Sequence, residues 1–151
     1  MFPETMGRVP AHTPAEVNRQ IQRDIERSLR YHAEHPHLIE DRLEELDQEW
    51  DIERVLEANA SSIILLGLGL ATAVDRRFLW LPAAVAGFLL QHAVQGWCPP
   101  VTLFRRRGVR TAAEIDQERY ALKALRGDFA DLSHRGSGRE RSEAALQAVR
   151  A

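Results

Sequence analysis

ANASSIILLGLGLATAV, residues 58 to 74, and FLWLPAAVAGFLLQHAV, residues 78 to 94, decide how this chain folds. Neither block carries a formal charge when His92 is neutral, and only Asp75-Arg76-Arg77 separates them. The second block runs on without charge through QGWCPPVTLF to Phe104. Each block is about 17 residues long, at the short end of the ~17–25 that cross a bilayer as a helix. At about 1.5 Å per residue such a helix spans roughly 25 Å. A three-residue spacer demands a tight antiparallel turn. Pro82 falls in the first turn of the second helix, where proline is tolerated, and Pro99-Pro100 ends that helix. A soluble bundle with two buried helices is the alternative. It would put a polar face on at least one of them, and neither block has one.

The charges outside the blocks are lopsided. Residues 1–57 hold seven arginines against fourteen acids, a net of -7, and the rest of the chain carries +5. The overall charge of -2 is therefore a cancellation. A mean hydropathy of -0.34 argues against a transporter of many spans. One cysteine excludes an internal disulfide framework and a multi-cysteine zinc site. MFPETMGRVP has no apolar run, so no cleavable secretory signal is expected.

Thr13-Pro14-Ala15-Glu16 reads as a helix start with a capping box. Val17, Ile21, Ile25 and Leu29 follow as one narrow apolar stripe. His35-Pro36-His37 interrupts it, because a residue before proline avoids the helical region. Ile39, Leu43, Leu46 and Trp50 form a second, heptad-like stripe that is short for a coiled coil. Beyond the apolar blocks, Thr111-Ala112-Ala113-Glu114 starts another helix, expected to stop at Gly127. Ser133–Gly138 reads as a linker, and residues 139–150 as a short frayed helix.

The expected fold is all-α, a two-helix transmembrane hairpin flanked by an acidic amphipathic arm and a short C-terminal helix. Its segments are a disordered N-terminus over 1–12, the acidic arm over 13–57 and the hairpin over 58–104. A basic juxtamembrane segment with a short helix covers 105–127, and a flexible tail covers 128–151.

Glu53-Arg54 before the first block, Gly67 within it, Gly96-Trp97-Cys98-Pro99 after the second, and Gly108-Val109-Arg110-Thr111 resemble the YgaP-like transmembrane family. That family is a bacterial inner-membrane hairpin, in places fused to rhodanese sulfurtransferase domains. The resemblance covers a little over a third of the chain and implies a membrane hairpin. Pro100 and the displaced aromatic Phe104 depart from the pattern. No rhodanese domain is present, so no sulfur-transfer activity is carried over.

Cys98 is the candidate nucleophile. Arg105, Arg106 and Arg107 would lower its pKa if they folded toward it, and His92, nearly two helical turns upstream, is poorly placed as a base. The opposing reading is a small residue packed at a helix end. His32, His35 and His37 offer metal-ligating nitrogens at a spacing of no standard site. Gln91, His92 and Gln95 are polar groups within or beside the second span, where such groups face a partner helix or water. Gly67 with Ala71, and Ala83 with Gly87, set small residues four apart for close helix packing, within the hairpin or between copies. Arg76, Arg77, Trp97, Arg105, Arg106, Arg107 and Arg110 read as membrane-flank residues. Glu49, Asp51, Glu53 and Glu57 would pair with that basic exit.

No phosphate loop, catalytic triad, zinc-protease motif or nucleic-acid module is found. No cofactor is expected. The arginine bias places both termini in the cytoplasm of a bacterial inner-membrane protein. The favoured function is a non-enzymatic membrane anchor or scaffold, in contact with the lipid bilayer. A homodimer or higher oligomer and a protein partner for the acidic arm are expected, and nucleic acid is not. Thiol or persulfide chemistry at Cys98 is the alternative, and a solute conduit built from several hairpins is a third.

Overall fold

The structure is a computed structural model and describes residues 6–130 and 137–150. Residues 1–5 and 133–136 of the expected N-terminal tail and linker lie outside them. The described residues form helices and turns, with no strand among them.

The disorder expected over 1–12 gives way at Arg8. Helix α1 (Arg8–Ala11) is a single turn, and Val9 is buried. Helix α2 (Ala15–Glu34) follows Pro14 and ends where His35 leaves the helical region ahead of Pro36. A 3-10 turn over Pro36–Leu38 leads into α3 (Ile39–Gln48). Glu49 is extended, and α4 (Ile52–Ala73) restarts at once, capped by Asp51, whose side chain accepts from the Arg54 amide at 2.8 Å.

Helix α4 thus begins six residues ahead of the expected boundary at Ala58. Glu53, Arg54 and Glu57 ride on the same continuous helix as the apolar block. The Asp75 side chain accepts from the Arg77 amide in the turn that follows, and α5 (Trp80–Gln95) carries Pro82 in its first turn. Gly96, at φ +76°, ends α5. Pro99-Pro100 then acts differently from the terminator expected of it. The pair opens α6 (Pro99–Arg106), because proline's fixed φ suits a first helical position and its missing N–H costs nothing there. Helix α7 (Ala112–Arg126) stops at Gly127 with φ +96°, as the sequence implied, and α8 (Gly138–Arg150) closes the chain.

The chain divides into two units. The first comprises residues up to Ile21 and Trp50–Ala112. Its core joins Val9, Ile52, Leu56, Cys98 and Val101, with Phe104 and Val109 against them. Helices α4 and α5 run back alongside each other, Gly67 facing Pro82 and Glu53 facing His92. The exit from α6 is tied down where the Ile52 amide donates to the Arg110 carbonyl at 2.8 Å.

The second unit comprises Gln22–Glu49 and Ala113–Ala151. Ile39, Leu43, Leu46, Ile115 and Leu122 form its core, with Leu29 packed against it. The apolar stripes of α2 and α3 therefore do point inward, save that Trp50 is exposed. Its ring lies under the Arg54 guanidinium at 4.2 Å, beyond the end of α3. Among the described residues two carboxylates are buried in this unit, Glu114 and Glu118. Glu118, 1% exposed, accepts from Arg42 Nε at 2.9 Å and from the Ser28 hydroxyl at 2.5 Å. Such a group is tolerable inside only when its lone pairs are met.

Candidate functional site

Where the start of α4 meets the end of α5, four polar groups come together. The Arg8 guanidinium donates to the Ala93 carbonyl and to Glu53 Oε1, each at 2.9 Å. The other Glu53 oxygen lies 2.7 Å from His92 Nε2, so that nitrogen donates to the carboxylate. Together these bonds hold the Glu53 carboxyl below its ordinary pKa. The His92 hydrogen bond acts most strongly, then Arg8, against the opposing effect of burial. His92 is 3% exposed, and its Nδ1, like Arg8 Nε, is buried without a hydrogen-bond partner.

Gly96 makes this cluster possible. Its φ lies in the left-handed region, and a Cβ there would sit 2.6–2.7 Å from the Arg8 side chain and backbone. The Gly-Trp-Cys-Pro element thus serves as the seat for α1.

Cys98 follows in extended backbone, 3% exposed, past the end of α5. Burial pushes its thiol upward, and the Glu53 charge adds to the shift. This is the opposite of an activated thiolate. Cys98 belongs to the core with Val9 and Val101. Its thiol faces an apolar cavity of about 260 Å³, walled by Leu56, Ala60, Val85, Leu89 and Pro99.

Arg105 is the largest correction to the basic flank. It is 0% exposed. Its Nε donates to the Thr13 hydroxyl at 3.2 Å, and its terminal nitrogens to the Val109 carbonyl at 3.1 Å and Asn18 Oδ1 at 3.0 Å. Val101 and Arg105 are four apart on α6 and share its buried face. Arg110 is buried too, while Arg106, Arg107, Arg76 and Arg77 are exposed. Trp97 is half-buried. The expected pairing of Glu53 with the exit arginines is replaced by Arg8 and His92.

The small-residue pairs part company. Gly67 and Ala71 are buried, Gly67 against Pro82 with no room for a side chain. Ala83 and Gly87 face outward, with nothing near Gly87.

The histidine trio is not gathered as a metal site. His32 Nδ1 and His35 Nδ1 each sit 2.8 Å from a carbonyl one turn upstream, on Ser28 and Tyr31. His35 stacks on Tyr31, ring centres 4.4 Å apart. Among the described residues no three His, Cys, Asp or Glu side chains assemble.

Sequence reasoning missed Arg8, Thr13 and Asn18 as site residues. Only Gly96, as a demand for close approach, signalled that something would pack there.

Two helical stretches, ending at Ala73 and Gln95, are long and apolar enough to cross a membrane by length and composition. No protein-family model, no curated protein and no solved structure matches this chain.

Proposed function

We propose that α4 from Ala58 onward and α5 form a transmembrane hairpin that anchors the chain in a bacterial inner membrane. Both termini lie in the cytoplasm, and the unit of Gln22–Glu49 with Ala113–Ala151 is displayed there to bind a protein partner. The observation that carries the reading is the outward face of the two helices. Leu65 is 69% exposed, Leu66 60%, Trp80 67% and Leu90 68%. Only 22% and 11% of the two most apolar windows are buried, where the core helix of a soluble protein is mostly buried. An apolar surface of this extent needs a cover, and lipid is the cover that matches two uncharged helices of spanning length.

The resemblance to YgaP-like hairpins fits this architecture and brings no chemistry with it. The raised Cys98 thiol favours a packing role over thiol or persulfide catalysis. The exposed Ala83 and Gly87 leave α5 a face on which a second copy could approach closely.

Membrane fractionation of the tagged chain tests the proposal. It should resist carbonate and yield to detergent; release by carbonate alone would overturn the hairpin. A cytoplasm-dependent reporter at the C-terminus should be active and a periplasm-dependent one silent, with the reverse result refuting the orientation.

A further inference from the structure

We infer that the cavity between α4, α5 and the first turn of α6 is a binding site for one acyl chain of an anionic phospholipid; the inference rests on the membrane reading. The cavity measures about 260 Å³. An apolar cavity of roughly 150 Å³ already stays dry and takes up benzene. Water is a poor occupant, since a buried water needs two to four polar partners. The lining offers only the Asn59 amide and the Cys98 thiol. The Asn59 NH2 already donates to the Val55 carbonyl at 2.7 Å.

The occupant's source follows from the mouth. Ile63 and Phe88 line the cavity and are themselves 41% and 45% exposed, so it opens onto the apolar outer face of the helices. Whatever enters comes from the medium covering that face. The headgroup follows from charge. Pro99 and Pro100 close the cavity at one end of α6, and the exposed Arg106 and Arg107 stand at the other. Seven residues of helix separate Pro99 from Arg106, about 10 Å. These exposed guanidinium groups, on the helix whose first turn walls the cavity, favour a lipid with net negative charge.

The test uses the full chain in phosphatidylcholine nanodiscs doped with phosphatidylglycerol carrying a photoreactive acyl chain. A parallel sample carries phosphatidylcholine with the same chain. Adducts are mapped by mass spectrometry. Labelling at residues 56–63 and 85–89 should favour the glycerol lipid about thirtyfold, roughly what two surface arginines supply. Arg106→Gln with Arg107→Gln should bring the ratio to about one. Ala60→Phe, which fills one wall, should remove that labelling and leave adducts at Leu65 and Leu90 unchanged. Val85→Trp fills the opposite wall and serves if Ala60→Phe does not fold. Equal labelling by both lipids, or labelling that survives both filling variants, overturns the inference. So does equal labelling by a free photoreactive fatty acid, or a chain-to-chain adduct at the same residues. A carbonate-resistant chain labelled only at Leu65 and Leu90 sinks this site alone. A chain that carbonate extracts and no lipid labels sinks the membrane reading itself.

Discussion

The two units of this chain solve the burial problem in opposite senses. In the unit of Gln22–Glu49 and Ala113–Ala151, Ile39, Leu43, Leu46, Ile115 and Leu122 turn inward and most charges turn out. Arg119 meets Asp47 at 2.9 Å, Arg27 meets Asp24 at 2.8 Å, and Arg126 meets Glu40 and Asp128. In the unit of residues up to Ile21 and Trp50–Ala112, the long helices turn leucines outward. The side chains fully or nearly withdrawn at their ends include Arg105, His92 and Thr13. The same residue types thus carry different meanings. A leucine such as Leu122 is core in the first case, and in the second a leucine such as Leu65 belongs to the surface that selects the medium. Polar groups need satisfaction inside either unit, and hydrogen bonds supply most of it, with His92 Nδ1 and Arg8 Nε the exceptions among the described residues.

The comparison breaks most visibly if one substitution is made in both places. Leu122→Arg puts an unpaired charge at a position that is 0% exposed. Burying it costs several kcal/mol, about 5 or more, enough to unfold a typical domain. Limited proteolysis should then digest residues 22–49 and 113–130 while the chain stays in the membrane fraction. Retained protection would mean that Leu122 is not core.

Leu66→Arg should do the reverse. On a water-facing surface the change would be worth within about ±0.5 kcal/mol. In a membrane span it disfavours insertion by about 3 kcal/mol. The fraction of chain inserted into membranes in a cell-free translation should fall sharply, with the second unit still protease-resistant. Unchanged insertion would remove the distinction between the two surfaces.

Gly96→Ala is a smaller, local test. The left-handed conformation costs an alanine roughly 1–2 kcal/mol, and the new methyl group meets Arg8. Trypsin cleavage after Arg8 should accelerate while insertion is unaffected. Equal cleavage rates would detach α1 from the site.

Much of this was legible in the sequence for a plain reason. The two long apolar helices announce themselves by composition, and Pro36, Gly96 and Gly127 punctuate helices through backbone sterics that act over one or two residues. Helix α6 was not legible, because a Pro-Pro pair stops one helix and starts another with the same fixed φ. Helix α1 was not, because four residues hold no periodicity. Their order comes from Val9 in a distant core and from Arg8 bonds to residues 45 and 85 positions away. Arg105 was misread for a related reason. Within Arg105-Arg106-Arg107 only the register of α6 distinguishes the arginine that shares a face with Val101 from its exposed neighbours. The site was least legible of all, since each of its contacts joins segments that the sequence keeps apart.

The smallest expected effect concerns the Arg8–Glu53–His92 cluster and pH. The Glu53 carboxyl is held below its ordinary pKa of about 4.3, so its charged form is favoured in the folded chain. Its contribution is therefore fully present above that ordinary value and is lost as pH falls through the lowered one. The attachment of α1 should consequently hold from neutral pH to about 5 and weaken only in stronger acid. Glu53 is 36% exposed, so solvent screening keeps the effect small, below about 1 kcal/mol. Hydrogen exchange of the α1 amides, read by mass spectrometry after correction for the intrinsic pH dependence, should show protection that drops between about pH 5 and 3. Glu53→Gln should lower protection at pH 6 and flatten the profile. An equally steep acid loss in Glu53→Gln would assign the transition to another group and leave Val9 and Gly96 packing and the Arg8–Ala93 bond as what holds α1.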